Sequence, residues 1–388
     1  MLVPLTYNLR SLFVRRSSTL LTVFGIGATV AVLAGVLSLR QGFQSLFQEQ
    51  GRDDIVIFMR PGANSEGESL FNRRTAQRLM KTEPAIAQDE NEQPLASQEC
   101  YVAVRRRKLG GGETNVPVRG VEPMSFKIRG EGIRIIDGRP FQPGADEVIV
   151  GAKLVGRIQN CKLGSVIQIN TSPLKVVGIF ESDGPFDSEI WGDLDRMLNA
   201  LQRPFPNRVV STLKAGVDLE ALAARLEKDK ETPAKVITER DYLASQSGAL
   251  AGVLGLLGGF LAVVMGTAAV FTATNTMLAA ISSRTHEIGV LLASGFRPIP
   301  VFLSFMFEAL LLGLIGGLIG ALLVLPLNGI ETGATNFDTF TEVAFAFRVT
   351  PGVLMTAIIF ALALGLAGGA IPAWRAARMK PIDALRRS

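Results

Sequence analysis

The sequence predicts a membrane α-helical protein with four transmembrane helices and a large α+β extracytoplasmic domain inserted between the first and the second. Three observations predict it. Hydrophobic residues make up 48% of the 388 and charged residues 19%, which is rich for a soluble chain and too polar for one immersed in lipid throughout. The charge is concentrated in one block, residues 41–246, flanked by apolar runs at 20–39, 248–281, 299–327 and 352–374. Each run can cross about 30 Å of hydrocarbon as a helix, and the single charge within the four is Glu308.

In chain order the division is 1–19, an interfacial helix; 20–40, span one; 41–246, the inserted domain; 247–281, span two with a stalk; 282–298, a cytosolic helix; 299–327, span three; 328–351, a short outer loop; 352–374, span four; and 375–388, a basic tail. Leu5, Leu9, Leu12 and Phe13 give the first segment an apolar face, and Arg10, Arg15 and Arg16 suit anionic lipid. Span one exceeds the 7–15 apolar residues of a signal peptide and ends in Ser38-Leu39-Arg40-Gln41, so it reads as a retained anchor. The basic residues set the orientation. Arg10, Arg15 and Arg16, then Arg284 and Arg297, then Arg375, Arg378, Lys380, Arg386 and Arg387 mark cytosolic segments, whereas 328–351 has Arg348 against Glu331, Asp338 and Glu342. Both termini are expected in the cytoplasm.

Block 41–246 holds 28 basic and 29 acidic residues, so the net charge of +5 comes from the short cytosolic segments. A nucleic-acid binder needs a basic folded face, and that class is excluded. Within the block, strands are expected at 55–59, 99–108, 147–150, 166–170, 174–180, 209–214 and 235–238, and helices at 71–80, 194–201 and 219–228. The clustering of short strands suggests a subdomain inserted at about 115–190. Cys100 and Cys161 either bridge or stay free, and the single histidine, His286, excludes a His-rich metal site.

Span two has 34 uncharged residues, roughly 50 Å of helix, so about a third should project as a stalk. Gly252, Gly255 and Gly259 on it, with Gly313, Gly317 and Gly320 on span three, permit close helix approach, on one another or on a second copy. Pro298, Pro326, Pro351 and Pro372 are read as boundaries, Pro372 as a break.

Residues 282–298 lie between two spans yet read as a capped helix. Ser282 and Ser283 are N-cap types, Ile288, Leu291 and Leu292 share a face, and Gly295 and Pro298 stop it. Two readings remain: a coupling helix seated in a groove of a motor subunit, or an interfacial helix on lipid head groups. Glu308 lies near the cytosolic end of its span, within reach of an arginine such as Arg284 or Arg297, which favours an anchor over ion coupling. No phosphate-binding loop, G-x-S-x-G, H-E-x-x-H or C-x-x-C pattern occurs, so no catalysis and no cofactor are expected in this chain. Arg105-Arg106-Arg107-Lys108 before a glycine triplet reads as a solvated hairpin tip.

Arg284-Thr285-His286-Glu287-Ile288-Gly289-Val290-Leu291-Leu292-Ala293-Ser294-Gly295 resembles the R-x-x-E-I-G-x-x-x-A-x-G signature of FtsX-like ABC transporter permeases. The tail from Ile371-Pro372-Ala373-Trp374 to Pro381-Ile382-Asp383-Ala384-Leu385-Arg386 is similar to that family's ending, and Glu308-Ala309-Leu310 with Gly313, Gly316, Gly317 and Gly320 to its third span. Gly138–Phe141, Val148–Gly151 and Val176–Phe180 resemble the MacB-type periplasmic core domain. The resemblance implies an inner-membrane, type VII mechanotransmission permease, a homodimer or pseudo-dimer with two copies of an ATPase that holds ATP and Mg. It implies Arg284, Glu287, Ile288, Leu291, Leu292 and Gly295 at the ATPase interface. MacB-type chains carry the ATPase ahead of the first span; this sequence starts at that span, so the ATPase is expected on another chain. Export of hydrophobic or amphiphilic cargo, with a periplasmic adaptor, is one implied outcome. Lipoprotein release, or FtsX-type signalling to a periplasmic hydrolase, is the alternative.

Overall fold

The computed structural model describes residues 16–48, 51–182, 184–295, 297–335 and 341–380. Most of the expected interfacial helix at 1–19, the position of Phe296 and the tail beyond Lys380 lie outside these residues. In chain order come α1 (Arg16–Gln48), β1 (Ile55–Met59), α2 (Arg73–Thr82), β2 (Ala96–Arg107), β3 (Glu113–Val121), α3 (Met124–Arg129), β4 (Ile133–Gly138), β5 (Glu147–Gly151), β6 (Val166–Ile169) and β7 (Ser172–Ser182). Then follow β8 (Ile190–Asp193), α4 (Leu194–Ala200), β9 (Arg208–Thr212), α5 (Leu219–Glu227), β10 (Lys235–Thr238), α6 (Glu239–Ser282), α7 (Thr285–Ala293), α8 (Pro298–Val324), β11 (Glu331–Thr335), β12 (Glu342–Ala346) and α9 (Pro351–Ala377). The chain divides into a sheet unit, residues 43–251 with 331–345, and a helical unit formed by the remainder.

In the sheet unit one ten-stranded sheet runs β10-β1-β9-β2-β3-β8-β5-β7-β4, with β6 on β7. The pairs β3–β8 and β5–β7 are parallel and the others antiparallel. Three of its helices start where a side chain takes up an orphan amide: Asn72 accepts from Arg74 N, Asp193 from Arg196 N and Asp218 from Ala221 N. Val56, Phe58, Leu79, Val209 and Leu222 form a core under one half of the sheet, and Val118, Val150, Ile167, Leu174 and Met197 one under the other. Strands β3 to β8, from the region where an inserted subdomain is expected (about 115–190), form one half of the sheet, joined to the other half where β3 pairs with β2 along nine residues.

The segment 328–351 is not a plain loop. β11 and β12 pair, and Glu342 on β12 contacts Lys108 and Arg157 and accepts from Thr114 Oγ1 at 2.6 Å. Cys100 and Cys161 are free thiols in one apolar core, with burial pushing them up to about 12 and about 11 respectively.

Among the described residues four helices are long and apolar enough to cross a membrane: α1, α6, α8 and α9. Their glycines behave in two ways. A Cβ on Gly313 would lie 2.7 Å from Ala361 O, on Gly317 2.7 Å from Ala361 Cβ, and on Gly320 2.6 Å from Gly27 O. Gly313 and Gly320 let α8 touch α9 and α1 backbone to backbone, and Gly317 makes room for the Ala361 methyl. On α6, Gly258 and Gly266 meet Val36 and Leu364, Gly255 meets the Arg40 side chain, and Gly252 and Gly259 meet nothing within 4 Å among the described residues, so of the two partners expected for these glycines the chain itself supplies none at those two positions.

Pro372 corrects another expectation: α9 continues through it to Ala377. A proline there leaves the carbonyl four residues earlier without its helical donor. That carbonyl, on Gly368, accepts from Thr274 Oγ1 of α6 at 3.0 Å. A second hydroxyl, Thr22 Oγ1, donates to Thr276 Oγ1 at 2.9 Å and ties α1 to α6.

Candidate functional site

The helix between spans two and three is α7. Ser282 belongs to the end of α6, Ser283 Oγ donates to Ala280 O at 3.0 Å, and Arg284 occupies the N-cap position without a side-chain cap. The two serines thus close the helix before the turn rather than cap the one after it. Gly295, at φ +89°, ends α7, its amide donating to Leu292 O.

Ile288 is 3% exposed and packs with Met277, Ile281, Val301, Phe305, Ala309, Ala373 and Ala376, and Leu292 joins their edge. The segments 284–295 and 371–380, far apart in sequence, meet in this cluster. Burying a side chain of this size is worth about 1.5–3 kcal/mol, enough to hold a two-turn helix that would not persist alone. Ile288 is therefore an anchor in its own chain rather than part of an exposed surface, while Leu292 stays half-buried at the cluster's edge. Leu291 lies on α7, its side chain outside the described residues.

The opposite face of α7 is solvent-exposed at His286, Glu287, Val290 and Ala293, followed by Ser294, Gly295 and Arg297. Val290 is 45% exposed. Sequence reasoning named Glu287 and Gly295 and missed His286 and Val290. The signal was available, since 286, 290 and 293 share helical spacing opposite 288 and 292. Arg284 turns inward. Its guanidinium lies 3.7 Å from the Glu308 carboxylate, and both side chains are nearly buried. A charge of each sign placed there offsets what either would cost alone.

A second constellation, which sequence reasoning missed entirely, lies inside the sheet unit. Glu66, Glu99, Glu189 and Glu239 are buried with Arg119, Arg129 and Arg208. Arg119 takes Glu189 in two parallel bonds, Nε–Oε2 at 2.7 Å and Nη2–Oε1 at 2.8 Å, and also reaches Glu66 and Glu99. Arg208 bonds Glu99 at 2.6 Å and Glu66 at 3.1 Å. Arg129 contacts Glu239 and lies 3.5 Å from Glu99, its guanidinium 4.3 Å from the Phe186 ring centre. Burial alone would raise the Glu99 carboxyl, but Arg208, Arg129 and Arg119 outweigh it and hold it well below the usual range. Glu66 is likewise lowered by Arg119 and Arg208 against its burial. Burial, then Glu66, push the Tyr242 hydroxyl well above its ordinary value. Its oxygen accepts from Glu66 N at 3.1 Å and donates to Glu66 Oε1 at 3.3 Å. Among the described residues no cluster of His, Cys, Asp and Glu is arranged to hold a metal ion.

Residues 19–229 match the family described as MacB-like periplasmic core domain, and residues 250–381 the family described as FtsX-like permease C-terminal. The macrolide export ATP-binding/permease protein MacB of Sodalis glossinidius is 26% identical over 413 residues, covering 97% of this chain and 59% of that one. The protein of the same description from Neisseria gonorrhoeae is 23% identical over 405 residues, covering 97% and 60%. The crystal structure of the periplasmic region of MacB from Actinobacillus actinomycetemcomitans aligns with 48% of this chain and 90% of that one, at 12% identity and a TM-score of 0.35. The chain thus spans 59–60% of the length of these two curated relatives.

Proposed function

The chain belongs to the MacB/FtsX-type ABC transporter permeases, and from that premise we propose that it converts ATP hydrolysis on its cytosolic side into movement of its extracytoplasmic domain. The ATPase, with its ATP and Mg, lies outside these 388 residues and seats on α7. The chain works as a homodimer in the inner membrane with two ATPase copies and both termini in the cytoplasm, its domain meeting an adaptor in the periplasm. The cargo is hydrophobic or amphiphilic and is driven outward, in keeping with the macrolide export named for the two relatives.

The observation that carries this reading is the division of α7 into two faces. One is locked into the chain's own cluster through Ile288 and Leu292, and the other presents His286, Glu287, Val290 and Ala293. A helix resting on head groups would turn its apolar side to lipid and its polar side to water. Here the apolar side is already occupied, so an exposed Val290 beside Glu287 fits a protein groove. The absence of a phosphate-binding loop from the sequence and the lack of a relay of ionisable residues across the spans also support a transmitting role.

The test is ATP turnover of the reconstituted complex. Glu287→Arg is expected to drop stimulated turnover to the basal rate, by about tenfold or more, and Val290→Asp to follow it, since each puts an unmatched charge into a packed contact. Full stimulation in both variants would contradict the assignment.

A further inference from the structure

The buried ionic cluster holds four carboxylates against three guanidiniums. Six of the seven stand on strands β2, β3 and β9, on α3 or on turns of the sheet. Glu239 stands apart: it is the first residue of α6, the 44-residue helix whose residues 239–251 belong to the sheet unit and whose other end is Ser282, three residues before the start of α7. Removing any one carboxylate would leave three charges of each sign, so net charge alone does not single it out. Connectivity does. Glu99 contacts all three arginines and Glu66 two of them, whereas Glu239 contacts Arg129. Glu189 also serves one arginine, but it sits on the sheet and is bonded by Trp191 Nε1 at 2.6 Å.

Losing Glu239 would cost Arg129 its short Nη1 bond but would leave every arginine of the cluster with a carboxylate. Arg129 would keep Glu99 and the ring of Phe186, and Glu66 would keep Arg119 and Arg208 when Tyr242 left it. Glu239 itself lines a cleft of about 640 Å³ with Arg52, Arg129 and Arg240, so water is at hand to solvate the freed carboxylate. Buried ion pairs are poor sources of stability compared with apolar packing, and their best-attested use is to fix a register or a switch.

We propose that Glu239 and Arg129 form a releasable latch at the foot of α6, with Tyr242 on Glu66 as its second catch. Glu239 is a positioning residue. It holds the foot of α6 on the sheet in one state and lets go when α6 is pulled, while the other six charges stay assembled. This rests on the coupling reading above and adds the place where the helix grips the domain it moves.

Hydrogen exchange on the full chain in lipid nanodiscs tests the latch without any ATPase. Glu239→Gln is expected to speed exchange of residues 239–247 by about tenfold while β2, β3 and β9 change by less than about twofold. Glu239→Asp should restore most of the protection, and Glu99→Gln should loosen the strands themselves. Loss of protection across the whole sheet in Glu239→Gln would overturn the latch, because Glu239 would then be a keystone. Adding the ATPase gives the second arm. Residues 239–247 should exchange faster in the ATP–vanadate-trapped complex than in the nucleotide-free one, with Glu239→Gln fast in both. Identical exchange in both states while ATP is being turned over would overturn the latch's part in coupling. Failure of the coupling reading itself would show separately, as stimulated turnover unaffected by Glu287→Arg.

Discussion

Arg284 and Glu308 show how one charge pair can stand where a single charge would not. Their 3.7 Å separation and near burial make each the condition for the other. Glu308→Gln removes the carboxylate charge beside that guanidinium and is expected to cost about 3 kcal/mol, read as a fall in the melting temperature of the purified chain. Arg284→Gln combined with Glu308→Gln should cost less than the two single changes summed; full additivity would contradict the pairing. The two thiols give a second prediction at this scale. Both are shifted upward by burial, so the folded state favours the neutral thiol. Their contribution is whole below the ordinary value of 9.0 and is lost as pH rises through about 11 and about 12. At pH 8 a disulfide reagent should find no thiol in the native chain and two after denaturation. The carboxylates run the other way: Glu66 and Glu99 are lowered from 4.5. Their contribution is whole above that value and is lost as pH falls through the depressed values, so circular dichroism should show the sheet holding at pH 5 and giving way in stronger acid.

Among the elements, the glycines of α6 and α8 look alike in sequence and differ in surroundings. Gly317→Leu puts a side chain where Ala361 Cβ already sits, whereas Gly252→Leu enters open space. The first is expected to destabilise the chain by about 3 kcal/mol or more and to lower the yield of folded protein in detergent. The second should leave the melting temperature of the isolated chain unchanged and show itself, if α6 packs on a second copy, as a loss of dimer by light scattering. Equal losses of stability would contradict the distinction.

The same comparison marks what the sequence could tell. β1 and β10 were legible to the residue, because β-branched runs with clear breaks leave one choice, and the four spans were legible as long apolar runs with Glu308 their single charge. β3 was not: Pro117, Gly120 and Arg119 look wrong for a central strand, and only the buried carboxylates that receive Arg119 explain its place. β8 is a four-residue strand whose Gly192 and Asp193 read as a turn. The two faces of α7 were half legible, since the apolar stripe was plain but its partner, the cluster with Ala373 and Ala376, lies some 85 residues on. The ionic cluster draws its seven members from residues 66 to 239, and no local pattern announces a contact of that range.

For the molecule as a whole, the reading requires that an event at α7 be felt in the sheet unit. α6 is one continuous element that can carry it: 44 residues, about 66 Å of helix, from Glu239 in the buried cluster to Ser282 before α7. The most direct test is a distance measurement across the assembled dimer. Arg105, exposed on the β2–β3 hairpin, is replaced by cysteine and spin-labelled, with the native thiols too buried to compete. Electron–electron distances are recorded with the ATPase bound, nucleotide-free and ATP–vanadate-trapped. The account predicts two different distance distributions in the wild-type background and one unchanging distribution with Glu287→Arg. The same distribution in both nucleotide states of the wild type, with ATP turnover running, would contradict it.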